Sequence, residues 1–288
     1  MAWILLVLLA ALFRGMSDTL KKRATTDNVL DSIGALAITG FILSLPVLFF
    51  DVQFSFSFSL LIILIVFAAL NVIAMFFLMA SYKSEEVSTV IPLYNLSPAF
   101  LLILSFLILG EKPLLLQIIG VGVIIVGGYF LTVKNAKNWH HPFTEISFRH
   151  LFFMFMVLII ASFLAIFNKF LLQSLSVFTV YFWFIVFYTI LVLGLLVYKK
   201  RFVPVMGMLK RKIGDFTYPS VFMVLTSLVF FYVLSDPEVL VSLAIPVLRV
   251  STIITIILGG RMFHEHNIVH KIAAAVIMLA GVFIIAVA

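Results

Sequence analysis

The chain has 288 residues, of which 64% are hydrophobic and only 11% are charged. A soluble domain is nearer half apolar and a quarter charged, so this chain has too few polar residues to cover a soluble core. The composition predicts a membrane protein, and its net charge of +7 fits basic loops on one face of a membrane better than nucleic-acid binding. The absence of cysteine excludes disulfides and thiolate chemistry.

Ten apolar segments follow one another along the chain. A helix that crosses a bilayer needs about 20 mostly apolar residues, and backbone groups in lipid must bond one another, so we expect helices and not open strands. The first segment is predicted as a helix and not a signal peptide, and the alternating FSFSFS at 54–59 as an interfacial loop. A further loop is predicted at 199–216. The predicted helices are 2–21, 31–50, 59–80, 86–109, 114–133, 149–172, 177–198, 217–234, 238–260 and 267–287.

The second half of the chain repeats the first. Residues 81–131 align with 235–285 at a shift of 154 without a gap. The rarer identities are Pro92 with Pro246, Glu111 with Glu265, and Gly127 with Gly281. Each repeat holds five predicted helices, and an odd number of crossings means that the second copy enters from the opposite face. We therefore predict an all-α polytopic membrane protein of two inverted five-helix repeats, at 1–133 and 149–288, joined by a loop at 134–148. This plan is typical of secondary transporters with a substrate site at the repeat interface.

Three stretches resemble the EamA-type carriers of the drug/metabolite transporter superfamily. They are LGEKPLLLQIIGVGVIIVGG at 109–128, FRGMSDTLK at 13–21 and, less closely, FHEHNIVHKIAAAVIMLAG at 263–281. In that family the fourth and ninth helices end in a Gly-Glu-like step, and a helix with glycines seven residues apart follows. The resemblance implies ten helices around a central cavity, alternating access, and Lys169 as the second-half counterpart of Lys21. It does not name a substrate, because the family carries amino acids, sugars, nucleotides and other metabolites.

Arg249 falls near the centre of the predicted ninth helix. An arginine there costs roughly 2.5–3.5 kcal/mol on insertion scales, so we expect it to face a cavity or a partner. Its guanidinium could grip a substrate carboxylate or phosphate bidentately. The alternative is a structural ion pair with Asp18 or Glu86. Asn95 occupies the same place in the first repeat, and each repeated proline removes one helix hydrogen bond nearby.

The candidate site residues fall into three groups. Arg14 and Asp18 are four residues apart and can pair on one helix face, so Asp18 is either structural or a proton carrier. The predicted substrate-binding residues are Arg249, Asn95, Tyr94, Thr252, Asn71, Lys169 and Arg14; the predicted coupling residues are Asp18 and Glu86; and the predicted helix kinks are at Pro92 and Pro246.

The histidines near 264–270 suggest a metal site at first sight, because His266 and His270 are four residues apart. Their counterpart in the first repeat, GEKPLLL at 110–116, contains no histidine. We therefore expect no metal site and no cofactor. Glu111 and Glu265 come just before predicted helices, so their recurrence favours a role at a helix start over catalysis.

The sequence thus predicts a secondary transporter, not an enzyme. We expect it to move a small polar metabolite bearing a carboxylate or phosphate by alternating access, in the plasma membrane. The alternatives are a non-transporting scaffold or receptor and, less favoured, an intramembrane metal-dependent enzyme. The expected partners are membrane lipid and the substrate, without nucleic acid, and a homodimer is left open. Basic residues gather after odd-numbered helices, which places the termini outside, whereas the family resemblance implies cytoplasmic termini.

Overall fold

The computed structural model describes residues 2–84, 97–130, 148–262 and 268–288. Within these ranges the regular structure is helical, as predicted, and no strand occurs. The helices are α1 (Ala2–Ala24), α2 (Val29–Ser44), α3 (Phe58–Ser84), α4 (Ser97–Leu109), α5 (Leu115–Phe130), α6 (Phe148–Ser174), α7 (Val177–Tyr198), α8 (Phe202–Ser235), α9 (Val241–Leu248), α10 (Ser251–Met262) and α11 (Ile268–Val287), with a 3-10 helix at Leu45–Phe49.

Six helices among the described residues are long and apolar enough to cross a membrane. They are α1, α2 with the 3-10 turn that follows it, α3, α6, α7 and α8, and shorter apolar helices accompany them. A total of ten crossings stays a prediction. The predicted loop at 54–59 is confirmed for 54–57, since α3 begins at Phe58.

The helix boundaries follow the sequence repeat. Adding 154 to α4 gives 251–263, where α10 runs Ser251–Met262, and adding it to α5 gives 269–284, inside α11. Adding 154 to α3 gives 212–238, and the start of that range coincides with a kink in α8 at Lys212, where φ is −132° and ψ is 39°. The connecting loop predicted at 134–148 lies outside the described residues, apart from residue 148, which is the first residue of α6.

Two predicted boundaries are wrong. The loop predicted at 199–216 is helical from Phe202 onward. Val205 and Leu209, four residues apart, are buried on one face of this helix against α2 and α7, whereas the basic side chains face outward. The ninth helix, predicted as continuous over 238–260, is two helices. It breaks at Arg249 and Val250, a few residues beyond Pro246. There the N–H groups of Val250 and Thr252 bond the carbonyls three residues back, of Val247 and Arg249, and these tight turns join α9 to α10.

The two halves interlock across a shared core. Helix α1 packs against α8 and α10, and α2 packs against α7 and α8. Buried hydroxyls fasten these contacts: Ser17 Oγ donates to the carbonyl of Pro219 at 2.9 Å, and the hydroxyls of Thr39 and Ser220 are 2.7 Å apart. Helices α5 and α11 cross so closely that a Cβ added at Gly120 would lie 2.9 Å from a backbone oxygen of α11. Several of the other buried polar groups, among them Asn168 and Arg249, line a cavity.

Candidate functional site

A cavity of about 230 Å³ lies between the two halves. Helices α1 and α3 of the first half line it, together with α6, α7, α8 and α9 of the second. Its volume is below the roughly 300–1,000 Å³ usual for drug-sized ligands, so it suits a small solute. Aromatic rings supply much of the wall, and the polar side chains without rings are Arg14, Asn71, Asn168, Thr226, Ser227 and Arg249.

Arg249 enters the cavity wall at the break between α9 and α10. It is the C-cap residue of α9, and its backbone N–H donates to the carbonyls of Ile245 and Pro246 at 3.1 and 3.0 Å. The side chain is buried, with 5% exposed, and Nη2 donates to Ser97 Oγ, the first residue of α4, at 2.7 Å. Arg249 therefore lies in the cavity wall, and its guanidinium links the second half to the first.

Arg14 reaches the same cavity from α1. The predicted pair with Asp18 is present: Arg14 Nε lies 3.6 Å from Asp18 Oδ2. The other oxygen of Asp18 lies 3.2 Å from Lys21 Nζ, one turn farther along the helix. Asp18 thus sits between two cations of its own helix. Its proposed part in ion coupling stays a prediction.

Two asparagines bring amide groups to the wall. Asn71 Nδ2 donates to the carbonyl of Phe67 in the preceding turn of α3 at 2.8 Å. Asn168, on α6, is buried, and its Oδ1 has no hydrogen-bond partner within the part of the chain that the structure describes. A buried acceptor of this kind is normally satisfied. A donor group of a bound solute would satisfy the Asn168 acceptor.

Lys169 lies next to the cavity residue Asn168 but points elsewhere. Its ammonium donates to the carbonyls of Leu234, Asp236 and Val239 at 3.1, 2.6 and 2.8 Å. These carbonyls belong to the end of α8 and the connector to α9, and a cation suits a helix C-terminus. Lys169 therefore joins α6 to the end of α8 and to the connector that follows it, and it is not among the residues that line the cavity.

The remaining candidates are separated from the cavity or undescribed. Thr252 is buried on α10 and does not line the cavity. Pro246 lies inside α9, close to the break that was predicted as a kink. The predictions for Glu86, Pro92, Tyr94 and Asn95 lie outside the described residues. Of the seven predicted substrate-binding residues, Arg14, Asn71 and Arg249 meet at the cavity.

Glu111 has a role that sequence reasoning missed. Its Oε1 accepts a hydrogen bond from the backbone N–H of Val241 at 2.7 Å, and its Oε2 accepts from that of Ser242 at 3.0 Å. Glu111 binds the start of a helix, as predicted, but that helix is α9, which begins 130 residues away, and not the adjacent α5. The sequence holds one signal for this contact: the repeat that pairs Glu111 with Glu265 also pairs Val241–Ser242 with 87–88, again Val-Ser.

Comparisons with known proteins agree with this architecture. The model of the EamA-like transporter family matches residues 1–133 and 149–287, one match for each predicted repeat. An uncharacterized protein of Methanocaldococcus jannaschii is 32% identical over 133 residues, which are 46% of this chain and 97% of that protein. That relative has about half the length of this chain.

A solved crystal structure also shares the fold. It aligns with 99% of this chain, and the aligned part is 98% of the other chain, with a TM-score of 0.70 and 12% sequence identity. At that identity the likeness shows the fold alone. The family model covers nearly the whole chain in two repeats, and the described helices include several that can cross a membrane. The chain therefore belongs to the EamA-like transporter family and is an integral, multi-pass membrane protein.

Proposed function

We propose that this protein is a secondary transporter for a small polar solute bearing a carboxylate or phosphate, working by alternating access in the plasma membrane. Membership of a transporter family supports the general class. The solute site of such carriers lies between repeats, near the middle of the bilayer. The cavity likewise lies between the two halves, and its volume suits a small solute, which supports the proposal.

The observation that carries the proposal is Arg249, a buried arginine in the wall of this cavity. Burying a guanidinium in a membrane protein is costly, so such residues mark ligand or ion pathways by default. Arg14 adds a second guanidinium from the other half. An anion held by both would contact the two repeats at once, and it would therefore respond to their movement against each other.

The cavity also offers an acceptor. Asn168 Oδ1 lies buried in the wall without a partner among the described residues, so it favours a solute that carries a hydrogen-bond donor besides its acid group. Rings such as Phe67 and Phe184, with centroids 5.2 Å apart, give the rest of the wall an apolar character. The solute we propose is therefore compact, acidic and partly apolar.

A thermal-shift screen of the purified protein against carboxylates, phosphates, sugars and organic cations tests the proposal. A ligand that binds only the folded state adds about 2.7 kcal/mol of stability at a hundred times its dissociation constant. We expect one anionic class to stabilise the parent and Arg211→Ala, an exposed arginine in the basic part of α8, but not Arg249→Ala. Stabilisation by cations alone, or equal stabilisation of all three proteins by anions, would contradict the proposed site.

A further inference from the structure

The first turns of α8 are set apart from the rest of that helix. Helix α8 has 34 residues, which is about 51 Å at 1.5 Å per residue, whereas the hydrocarbon core of a bilayer is about 30 Å thick. The kink at Lys212 divides the helix. The part after the kink, 213–235, has the length that a crossing needs, about 20 residues. The part before it, 202–211, therefore extends beyond the hydrocarbon core to the membrane surface.

Ion pairs tie this segment to the neighbouring helix ends. Arg201, the N-cap residue of α8, donates from Nε to Oδ1 of Asp31, in the first turn of α2, at 2.9 Å. Arg23, in the last turn of α1, has its Nε 3.5 Å from Oδ1 of Asp215, three residues beyond the kink. Two of the cations at this end of the bundle are thus matched by acids.

Five more cations at this end are exposed, and we call them the basic surface. None of them forms an ion pair with a carboxylate of the residues that the structure describes. They are Lys199, Lys200, Lys210, Arg211 and Lys212. The described residues of this end include one exposed acid, Asp27, so positive charge predominates. The opposite end of the bundle exposes Asp51, Asp236 and Glu238 instead.

Apolar side chains are exposed beside these cations. Val203 is 78% exposed and Ile213 is 62% exposed, while Val205 and Leu209 pack into the core. Lysine and arginine next to exposed apolar side chains are typical of helices that lie in the membrane interface. A nucleic acid would match the cations but would leave the valine and isoleucine without apolar surroundings. A phospholipid supplies both, because its phosphate lies directly above its acyl chains.

We propose that the basic surface binds the headgroups of anionic phospholipids, with Val203 and Ile213 in the acyl region beneath them. Basic segments beside a membrane crossing are attracted by anionic lipid, and each lysine or arginine near such a surface contributes about a factor of five in binding. Zwitterionic lipid lacks this attraction, because its ammonium group cancels the charge of its phosphate. The surface is separate from the cavity, whose lining begins on α8 at Met223, so the proposal does not depend on the solute.

A fluorescent label beside the basic surface tests the proposal. Because the chain has no cysteine, Val203→Cys creates one exposed labelling site there. The labelled protein is reconstituted in phosphatidylcholine vesicles that contain either phosphatidylglycerol or phosphatidylcholine with brominated acyl chains, which quench the label. We expect phosphatidylglycerol to bind at the label at least fivefold more tightly than phosphatidylcholine.

The same label at the opposite end of the bundle is the control. Phe58→Cys replaces a side chain that is 75% exposed at the start of α3. We expect both brominated lipids to quench this label equally. Equal quenching by the two lipids at Val203→Cys, or the same preference for phosphatidylglycerol at both sites, would overturn the proposal.

Two matched sets of substitutions separate charge from packing. One set changes four lysines of the basic surface to glutamine, and the other changes the same four to arginine, which keeps the charge. The four are Lys199, Lys200, Lys210 and Lys212. The preference for phosphatidylglycerol at Val203→Cys should fall below twofold in the glutamine set and stay at fivefold or more in the arginine set. A preference that persists in the glutamine set, or that is lost in the arginine set, would contradict binding through charge.

Salt tests the parent chain in case the glutamine set does not fold. Raising the ionic strength from about 0.15 M to about 1 M shortens the Debye length from about 8 Å to about 3 Å. The preference for phosphatidylglycerol at Val203→Cys should then fall at least twofold. A preference that is the same at both ionic strengths would overturn the proposal, since exposed cations at a membrane surface are screened by salt.

Discussion

Replacing Lys169 by methionine should destabilise the protein without removing a residue from the cavity wall. The lysine is 3% exposed, and its ammonium donates to three backbone carbonyls at 2.6–3.1 Å. Methionine fills a similar volume but donates nothing, so the carbonyls of Leu234 and Val239, both in buried contacts, lose their lysine partner. Each buried group left unsatisfied costs about 1–3 kcal/mol, which gives a loss of roughly 2–6 kcal/mol in the free energy of unfolding.

Reversible unfolding in mixed detergent micelles measures this loss. Lys112→Met is the matched control, because Lys112 is an exposed lysine beside Glu111, and its free energy of unfolding should change by about 0.5 kcal/mol or less. If Lys169→Met instead unfolds like the parent and no longer binds anions, the lysine belongs to the solute site, as the sequence predicted. Its contacts with the three carbonyls would then not stabilise the fold as derived above.

Two further predictions concern packing between helices. Gly120→Ala should destabilise the protein by about 1–3 kcal/mol, because the added Cβ would meet the backbone of α11. The control is Gly122→Ala, two residues farther along α5. A Cβ at Gly122 has no atom within 4 Å, so this substitution should be neutral or stabilising. Comparable losses at both glycines in a thermal melt would contradict the close crossing. Tyr181→Phe should cost about 1 kcal/mol, since its hydroxyl lies 2.9 Å from a serine hydroxyl of α2, and Tyr232→Phe, at an exposed ring, should cost nothing measurable.

Much of the fold could be predicted because its signals are local. The apolar runs give the helices, and the shift of 154 maps α4 onto α10 and α5 onto α11 almost residue for residue. The failures have physical reasons. Pro246 shows in the sequence, but whether a helix bends at a proline or ends and restarts depends on its neighbours. The basic residues near 210–212 suggested a loop, although the stretch also carries the apolar side chains Val205, Leu209 and Phe216, which are buried along one helix.

The site was predictable where the contacts are local or the residue is rare. Arg14 and Asp18 pair because they are one turn apart, and Arg249 stands out because a charge inside an apolar run is costly. The contacts of Lys169 and Glu111 could not be predicted because their partners are backbone atoms 65 to 131 residues away, and a sequence does not show which carbonyl or N–H lies beside a charge. The Val-Ser step shared by the two repeats was the available signal for Glu111.

The most direct test of the account is solute flux into sealed proteoliposomes. The protein is reconstituted with the anionic class that stabilises it, and uptake is compared among the parent, Arg249→Ala and the exposed control Arg211→Ala. The account predicts saturable uptake in the parent and in Arg211→Ala, with a loss of tenfold or more in Arg249→Ala, the scale of one charge-assisted hydrogen bond. Binding without flux in the parent would indicate a receptor and contradict transport, and full flux in Arg249→Ala would contradict the cavity as the solute site.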